Sequence, residues 1–378
     1  LHDLARLFAE SCLEGVELVD AKQKHANYYS KILSYAGTLY TKGGMDLLEG
    51  LEIFDQELAN IKVGYVWAKS AIQSFRMLNK RDSKSIIQLA GSYAKEGIYI
   101  LDLRLHPRDQ IAWLETGLAA ARILQDRQTE GKHLCNLGNA YSHLGEIRKA
   151  IEFYEQALNI SRDIGDHKAE EADLGNLGVA YSHLGEPRRA IGFYEQAFKI
   201  SREIRDLRGE GAALGNLGLA YSDLGEPLKA IEFYDQALKI AQEIGDRRNE
   251  GVWLGCLGLA SSYLGETRKS IEFFNQALKI AKEIGNRRSE GVWLGSLGLA
   301  YYHLGEIRRA IELYGQAISI AQEIGDRSNE GIWLGNLGLA YYHRSEIRKA
   351  MEFYDRALGF SKEIGNRRGE AAWLGNLG

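Results

Sequence analysis

Side chains able to do chemistry recur in this chain at one interval. His143, His183, His303 and His343 stand 40 residues, or a multiple of 40, apart, with Asp223 and Tyr263 in the same register between them. Asn136, Asn176, Asn216, Asn336 and Asn376 form a second row, interrupted by Cys256 and Ser296. Imidazoles bind metals, but a metal site needs its donors to converge within about 2.1 Å of one ion. If each interval holds its own helix, one histidine per helix does not converge, because packed helices already stand roughly 8–10 Å apart. The histidines therefore read as surface side chains, or as the lining of a groove if the fold provides one, and no metal is expected. A carboxamide both donates and accepts, so a row of asparagines can hydrogen-bond the backbone of an extended peptide whatever its sequence. Tyr302 and Tyr342 replace Ser142, Ser182 and Ser222 in a neighbouring row and would add aromatic anchors. No nucleophile with its base, no paired acid and base, and no GxxxxGK[ST] phosphate loop is present, so neither an enzyme nor a bound cofactor is expected.

The interval belongs to everything from Gln128 onward. The phrase Leu214-Gly215-Asn216-Leu217-Gly218-Leu219-Ala220-Tyr221 returns at Leu174–Tyr181 and Leu334–Tyr341. Full copies run 128–167, 168–207, 208–247, 248–287, 288–327 and 328–367, and Gly378 falls within the first half of a seventh. A fixed period between 20 and 50 residues marks a solenoid, in which each unit buries its apolar face against its neighbours. In the copy from Arg208, Leu214, Leu217, Ala220, Tyr221 and Leu224 make one apolar stripe at helical spacing, and Ala230, Ile231, Tyr234, Ala237, Leu238 and Ile240 make another. Gly225-Glu226 turns the chain, Pro227 suits a first helical position, Gly245 a left-handed C-cap and Asp246 an N-cap. The spacing predicts helices over 209–224 and 227–244, and hence an all-α solenoid of helix–turn–helix units.

Two rows within the stripes need reasons. A glycine inside a helix costs roughly 1 kcal/mol against alanine, yet Gly175, Gly215, Gly255, Gly295 and Gly335 recur. Close approach of a neighbouring helix is the expected cause. Trp253, Trp293, Trp333 and Trp373 stand where earlier copies have His133, Asp173 and Ala213, and packing between repeats is expected of them. With Tyr302 and Tyr342 they make the groove expected to grow more apolar toward its C-terminal end.

Leu134, Leu137, Gly138, Tyr141, Ala150 and Tyr154 reproduce the Leu-x2-Leu-Gly-x2-Tyr…Ala-x3-Tyr pattern, and the whole of 128–378 resembles a tetratricopeptide repeat (TPR) array. It departs from the common form in its period (40 rather than 34), in lacking the closing proline, and in Ser261 and Ser270. The long period with its Glu-Ile-Gly-Asp-Arg connector is similar to the repeats of Pins/LGN adaptors and of bacterial signalling proteins, with a longer second helix as the simplest account of the extra residues. The resemblance implies a right-handed superhelix whose first helices line a concave groove holding a protein or peptide ligand. The lysine clamp by which some TPR domains hold chaperone tails has no counterpart, since those positions carry Cys135 and glycines.

Residues 1–80 read as a helical region, and 81–127 as a diverged repeat with helices over 83–99 and 108–125 and an insertion around Leu101–Pro107. Leu1-His2-Asp3-Leu4-Ala5-Arg6-Leu7-Phe8-Ala9 resembles the end of the winged-helix subdomain of NB-ARC-type STAND signalling ATPases, and the stretches around His25–Tyr29 and Glu57–Ile61 resemble their helical linker. That resemblance implies nucleotide sensing by His2, with Asp3 beside it, and an ATPase lying upstream of Leu1. Leu1 is no start methionine and the last repeat is halved, so the chain reads as a piece of a longer protein. The leading expectation is the ligand-sensing arm of a STAND ATPase. Its rivals are a free-standing adaptor and a self-assembling architectural solenoid, with self-association through the truncated last repeat. The 47 basic and 51 acidic residues leave a net charge of −4, which supplies no global field for nucleic acid or membrane. Three separated cysteines, Cys12, Cys135 and Cys256, argue for a reducing compartment, and no apolar run or signal peptide contradicts a cytoplasmic reading.

Overall fold

The computed structural model describes residues 12–73, 80–96 and 98–377. His2 and Asp3, with the winged-helix-like motif, lie outside the described residues. Among those described, every regular element is a helix, eighteen in all, and none is long and apolar enough to cross a membrane. Packing divides them into two compact units, one ending at Glu186 and one beginning at Pro187.

The first unit opens with two long helices, α1 (Gly15–Lys42) and α2 (Gly44–Gln73), which fold back on each other at Gly43. Then come α3 (Lys80–Glu96), α4 (Ile98–Arg104), α5 (Pro107–Leu124), α6 (Arg127–His143), α7 (Ile147–Ile164) and α8 (His167–His183). Leu33, Phe54, Ile61, Tyr93 and Trp113 form the core of its front half. Tyr65 stacks on Trp113 at 4.1 Å, and the buried Tyr93 hydroxyl donates to the Ala26 carbonyl at 2.7 Å. The segment expected as an insertion, Leu101–Pro107, is the second half of the short helix α4 and the turn into α5. Helix α5 packs on α3 behind it and on α6 ahead, so the front half runs into the repeats through one helix.

The second unit repeats a single motif: α9 (Pro187–Glu203), α10 (Leu207–Asp223), α11 (Pro227–Glu243), α12 (Arg247–Tyr263), α13 (Thr267–Glu283), α14 (Arg287–His303), α15 (Ile307–Glu323), α16 (Arg327–His343), α17 (Ile347–Glu363) and α18 (Arg367–Leu377). First and second helices of its complete repeats are equal, at 17 residues, so both carry the length of the unit. Asp246, Asn286 and Asp326 cap the first helices by accepting from backbone amides three residues on. Gly245, Gly285 and Gly325 turn the connector in the left-handed region at φ 67–69°, where an L side chain is disfavoured.

Two of these connectors also carry an ionic staple. Arg247 bonds both Glu250 on its own helix and Glu283 on the next; Arg287 repeats the pattern with Glu290 and Glu323, each at 2.5 Å. Basic pairs such as Arg308-Arg309 and Arg348-Lys349 open the second helices, four residues before Glu312 and Glu352, but the pairing is not i,i+4. The second residue of the pair reaches back to the turn glutamate, as Lys349 does to Glu346 at 2.7 Å and Arg309 to Glu306 at 3.6 Å.

Candidate functional site

Successive first helices touch one another directly, α12 with α14 and α14 with α16 in the second unit, α6 with α8 in the first. Whatever one first helix exposes therefore lies beside the same position of the next. Two rows disappear into that contact. A Cβ added to Gly255 would stand 2.1 Å from the Trp293 ring, and Gly215 meets Trp253, Gly295 Trp333 and Gly335 Trp373 in the same way. Each tryptophan also lies nearly parallel to an aromatic ring of the preceding second helix: Tyr234 with Trp253, Phe274 with Trp293, Tyr314 with Trp333, Tyr354 with Trp373, at 6.1–6.3 Å. The glycine makes the slot and the indole fills it. From Gly215 onward the two rows that needed separate reasons supply each other's, whereas at Gly175 an added Cβ would meet nothing within 4 Å and close approach is not the cause.

The equivalent junction of the first unit is polar. Cys135 stands in the glycine row and Asp173 in the tryptophan row. The Ser161 hydroxyl donates to the Asp173 carboxylate at 3.0 Å, and the Cys135 thiol is hydrogen-bonded to it as well. Burial pushes the Asp173 carboxyl up to about 6, against the lowering effect of those two bonds. Burial, then Asp173 itself, pushes the Cys135 thiol up to about 12, so neither group is a reactive nucleophile near neutrality. One repeat earlier, His133 is 2% exposed, neither ring nitrogen has a hydrogen-bond partner among the described residues, and burial pulls it down to about 4.

With these rows accounted for, the remaining face of each first helix comes from positions at i, i+4, i+8, i+11 and i+15. In α12 these are Arg248, Val252, Cys256, Leu259 and Tyr263; in α14, Arg288, Val292, Ser296, Leu299 and His303; in α16, Ser328, Ile332, Asn336, Leu339 and His343. The asparagine row sits in the middle of the face. Asn136, Asn216 and Asn336 are half-buried, Asn376 is exposed, and none of these four carboxamides has a side-chain partner among the described residues. Asn176 differs: its amide donates to the Cys135 sulfur at 3.3 Å. His143, His183, His303 and His343 are exposed at the C-terminal ends of their helices. Tyr302 is half-buried and meets His343 edge-on at 5.1 Å, and Tyr342 is 56% exposed.

The face does grow more apolar in the second unit, but not through tryptophan, which is spent inside the junctions. Leu219, Leu259 and Leu299 are 36–43% exposed in one row, and Val252, Val292 and Ile332 form another. Sequence reasoning missed both. The signal was available, since Leu219 falls outside the stripe of Leu214, Leu217 and Leu224 and has no core partner to explain it.

Helix pairs stacked in register, with small residues on the inner contact and an aromatic in each second helix, define an α-solenoid of repeats. The model of the tetratricopeptide repeat matches residues 128–203, 210–283 and 289–363, and the chain belongs to the TPR family. No curated protein matches it. Among solved structures it resembles aspartyl phosphate phosphatase F of Bacillus subtilis (12% identity, TM-score 0.62, 92% of this chain and 96% of that one). It also resembles the apo quorum sensor NprR of B. thuringiensis (16%, TM-score 0.59, 90% and 99%). A STAND protein with a TPR sensor from Pyrococcus horikoshii matches at 18% identity and TM-score 0.62, over 93% of this chain but 55% of that one. At these identities the likeness is one of fold.

Proposed function

We propose that this chain is a protein- and peptide-binding TPR module in which the first-helix face takes an extended ligand. The observation that carries the reading is the set of unpartnered asparagine carboxamides of the second unit, Asn216, Asn336 and Asn376, presented at one register beside apolar rows, with Asn136 at the same register in the first unit. A carboxamide left without a partner at the centre of a packed face is suited to pair with a peptide backbone. The test is a selection of displayed peptides on the full chain, followed by calorimetry. Asn216→Ala and Asn336→Ala should each weaken a selected peptide several-fold, as expected for one hydrogen bond of ~0.5–1.5 kcal/mol. Equal losses from the outward-facing Arg308→Ala would place the ligand elsewhere and end the reading.

The finer role is that of a ligand-sensing arm of a STAND-type ATPase. It is supported by the Leu1–Ala9 motif and by the P. horikoshii neighbour, described as a STAND protein with a TPR sensor. A phosphate loop encoded upstream of Leu1 is the expected finding, and its absence would assign the chain to free-standing adaptors. Self-association has one specific support: α18 seats Trp373 against Tyr354 but leaves Leu374 52% exposed. Leu374→Ser should then lower any dimer fraction seen by light scattering.

A further inference from the structure

The first helices of the second unit carry two rows of arginine, one paired within its own helix throughout and the other with an ion pair only at Arg288. Arg247, Arg287 and Arg327 each pair with a glutamate of their own helix, Glu250, Glu290 or Glu330. The residues one step on, Arg208, Arg248 and Arg288, are exposed on the ligand-facing side, each eight residues from the asparagine row or its equivalents. Arg208 and Arg248 have no ion pair among the described residues. Arg288 meets only Asp326, at 3.3 Å, and stays 76% exposed. All three lie in the first turn of a helix, whose N-terminal dipole adds positive potential. The one acid at the five face positions of these helices, Asp223, is 15 residues from Arg208, roughly 22 Å along the axis at about 1.5 Å per residue. The first unit lacks such a row: the equivalent positions are Gln128 and Lys168, and Lys168 is paired with Glu171 at 2.9 Å.

We propose that the second unit selects an acidic peptide, its carboxylates along Arg208, Arg248 and Arg288 and its apolar side chains on the rows of Val252, Val292 and Ile332 and of Leu219, Leu259 and Leu299. This rests on the peptide-binding reading above and sharpens it to a ligand chemistry. The apolar rows flanking the arginines favour a peptide over a nucleic acid, whose phosphates would use the charge and leave those rows idle. Helices in contact stand roughly 10 Å apart, and an extended peptide rises about 3.3 Å per residue. One repeat therefore matches three ligand residues, and carboxylates recurring at every third position fit the arginine row.

The test uses three labelled twelve-residue peptides, identical in their leucines and alanines but carrying Glu, Gln or Lys at every third position, titrated against the full chain by fluorescence anisotropy. The Glu peptide should bind at least tenfold more tightly than the Lys peptide, and more weakly as salt rises. Reversing the row with Arg208→Glu, Arg248→Glu and Arg288→Glu together should invert that order, with an unchanged melting curve because these side chains are exposed. Equal binding of the three peptides, abolished by Leu259→Asp, would overturn the acidic preference while leaving the peptide-binding face intact. Binding of none, or binding indifferent to Leu259→Asp, would remove both. A single-stranded oligonucleotide displacing the Glu peptide at lower concentration than unlabelled Glu peptide does would also overturn the proposal.

Discussion

The junction between the first two repeats and the junctions of the second unit solve one packing problem with opposite chemistry. In three junctions of the second unit, glycine, tryptophan and an alanine (Ala241, Ala281 or Ala321) meet where the first unit has Cys135, Asp173 and Ser161; the last, with Trp373, keeps a serine, Ser361. An indole filling a glycine slot buries a large apolar surface with no polar group needing a partner except its own N–H. The polar junction holds a carboxylate whose desolvation only two donors offset. The same backbone thus accepts either filling, and what changes is the sign of the electrostatic contribution. The aromatic junction is stabilising at any pH, whereas the polar one depends on which groups are charged.

The largest test of that contrast is Trp293→Ala. Removing a buried tryptophan costs roughly 3–5 kcal/mol, and in a solenoid the loss falls on neighbouring repeats rather than spreading evenly. Chemical denaturation of the second unit should register it. Gly255→Ala should cost less, about 1–3 kcal/mol from overpacking. The two changes combined should be less damaging than their sum, because the added methyl enters space the indole has left. Strict additivity would show that the glycine and the tryptophan do not share a slot.

Asp173→Asn probes the polar side. The folded carboxyl titrates at about 6 against an ordinary 3.8, so between these values the folded state holds more protons than the unfolded state. Stability from this group is therefore highest below pH 3.8 and falls as pH rises through 6. The asparagine variant should be more stable than wild type at pH 7, by on the order of 2 kcal/mol, with the gain vanishing toward pH 4. A destabilised variant at pH 7 would mean that the bonds from Ser161 and Cys135 outweigh the burial of charge.

His133 runs the other way. Its folded value of about 4 lies below the ordinary 6.5, so stability is lost as pH falls between them. In the wild type this loss is opposed by the gain at Asp173 over much the same window. In Asp173→Asn the His133 loss stands alone, and the first unit should unfold more readily at pH 4.5 than at pH 7. Adding His133→Phe, which also removes two unpartnered ring nitrogens, should flatten the profile again and gain about 1 kcal/mol at neutral pH. A flat profile in the single variant would remove His133 from the account.

Much of this was legible in the chain. The 40-residue period, the stripes of Leu214, Leu217 and Tyr234, and the Asp246 cap predict the helices to within a few residues, because period and capping are local. The glycine and tryptophan rows could be seen but not joined, since their meeting is a contact between residues 38 apart on different helices. The swap of Ser161 for Ala241, Ala281 and Ala321 was a further clue to it. The asparagine row was visible as a column, but the Asn176 bond to Cys135 was not, because it depends on which neighbour a single side chain reaches. The exposed arginine row was hidden beside the one paired within its own helices: adjacent arginines read alike until geometry shows which of them Glu250 and Glu290 satisfy.

The smallest test asks whether the contrast belongs to the junctions or to the units that contain them. Gln125 in the first unit and Arg205 in the second occupy the connector position that is glycine elsewhere, at left-handed φ of 56° and 58°. Both carry a side chain into a region that glycine occupies without steric cost, and neither lies within a junction slot. Gln125→Gly and Arg205→Gly should each stabilise their own unit, by about 0.5 kcal/mol once glycine's greater unfolded-state freedom is set against the relieved strain. Equal gains would mean that the two units respond alike where their chemistry is alike, leaving the junction fillings as the source of their difference. A gain in one and a loss in the other would place that difference in the backbone of the unit, and the contrast between Asp173 and Trp293 would then be its consequence.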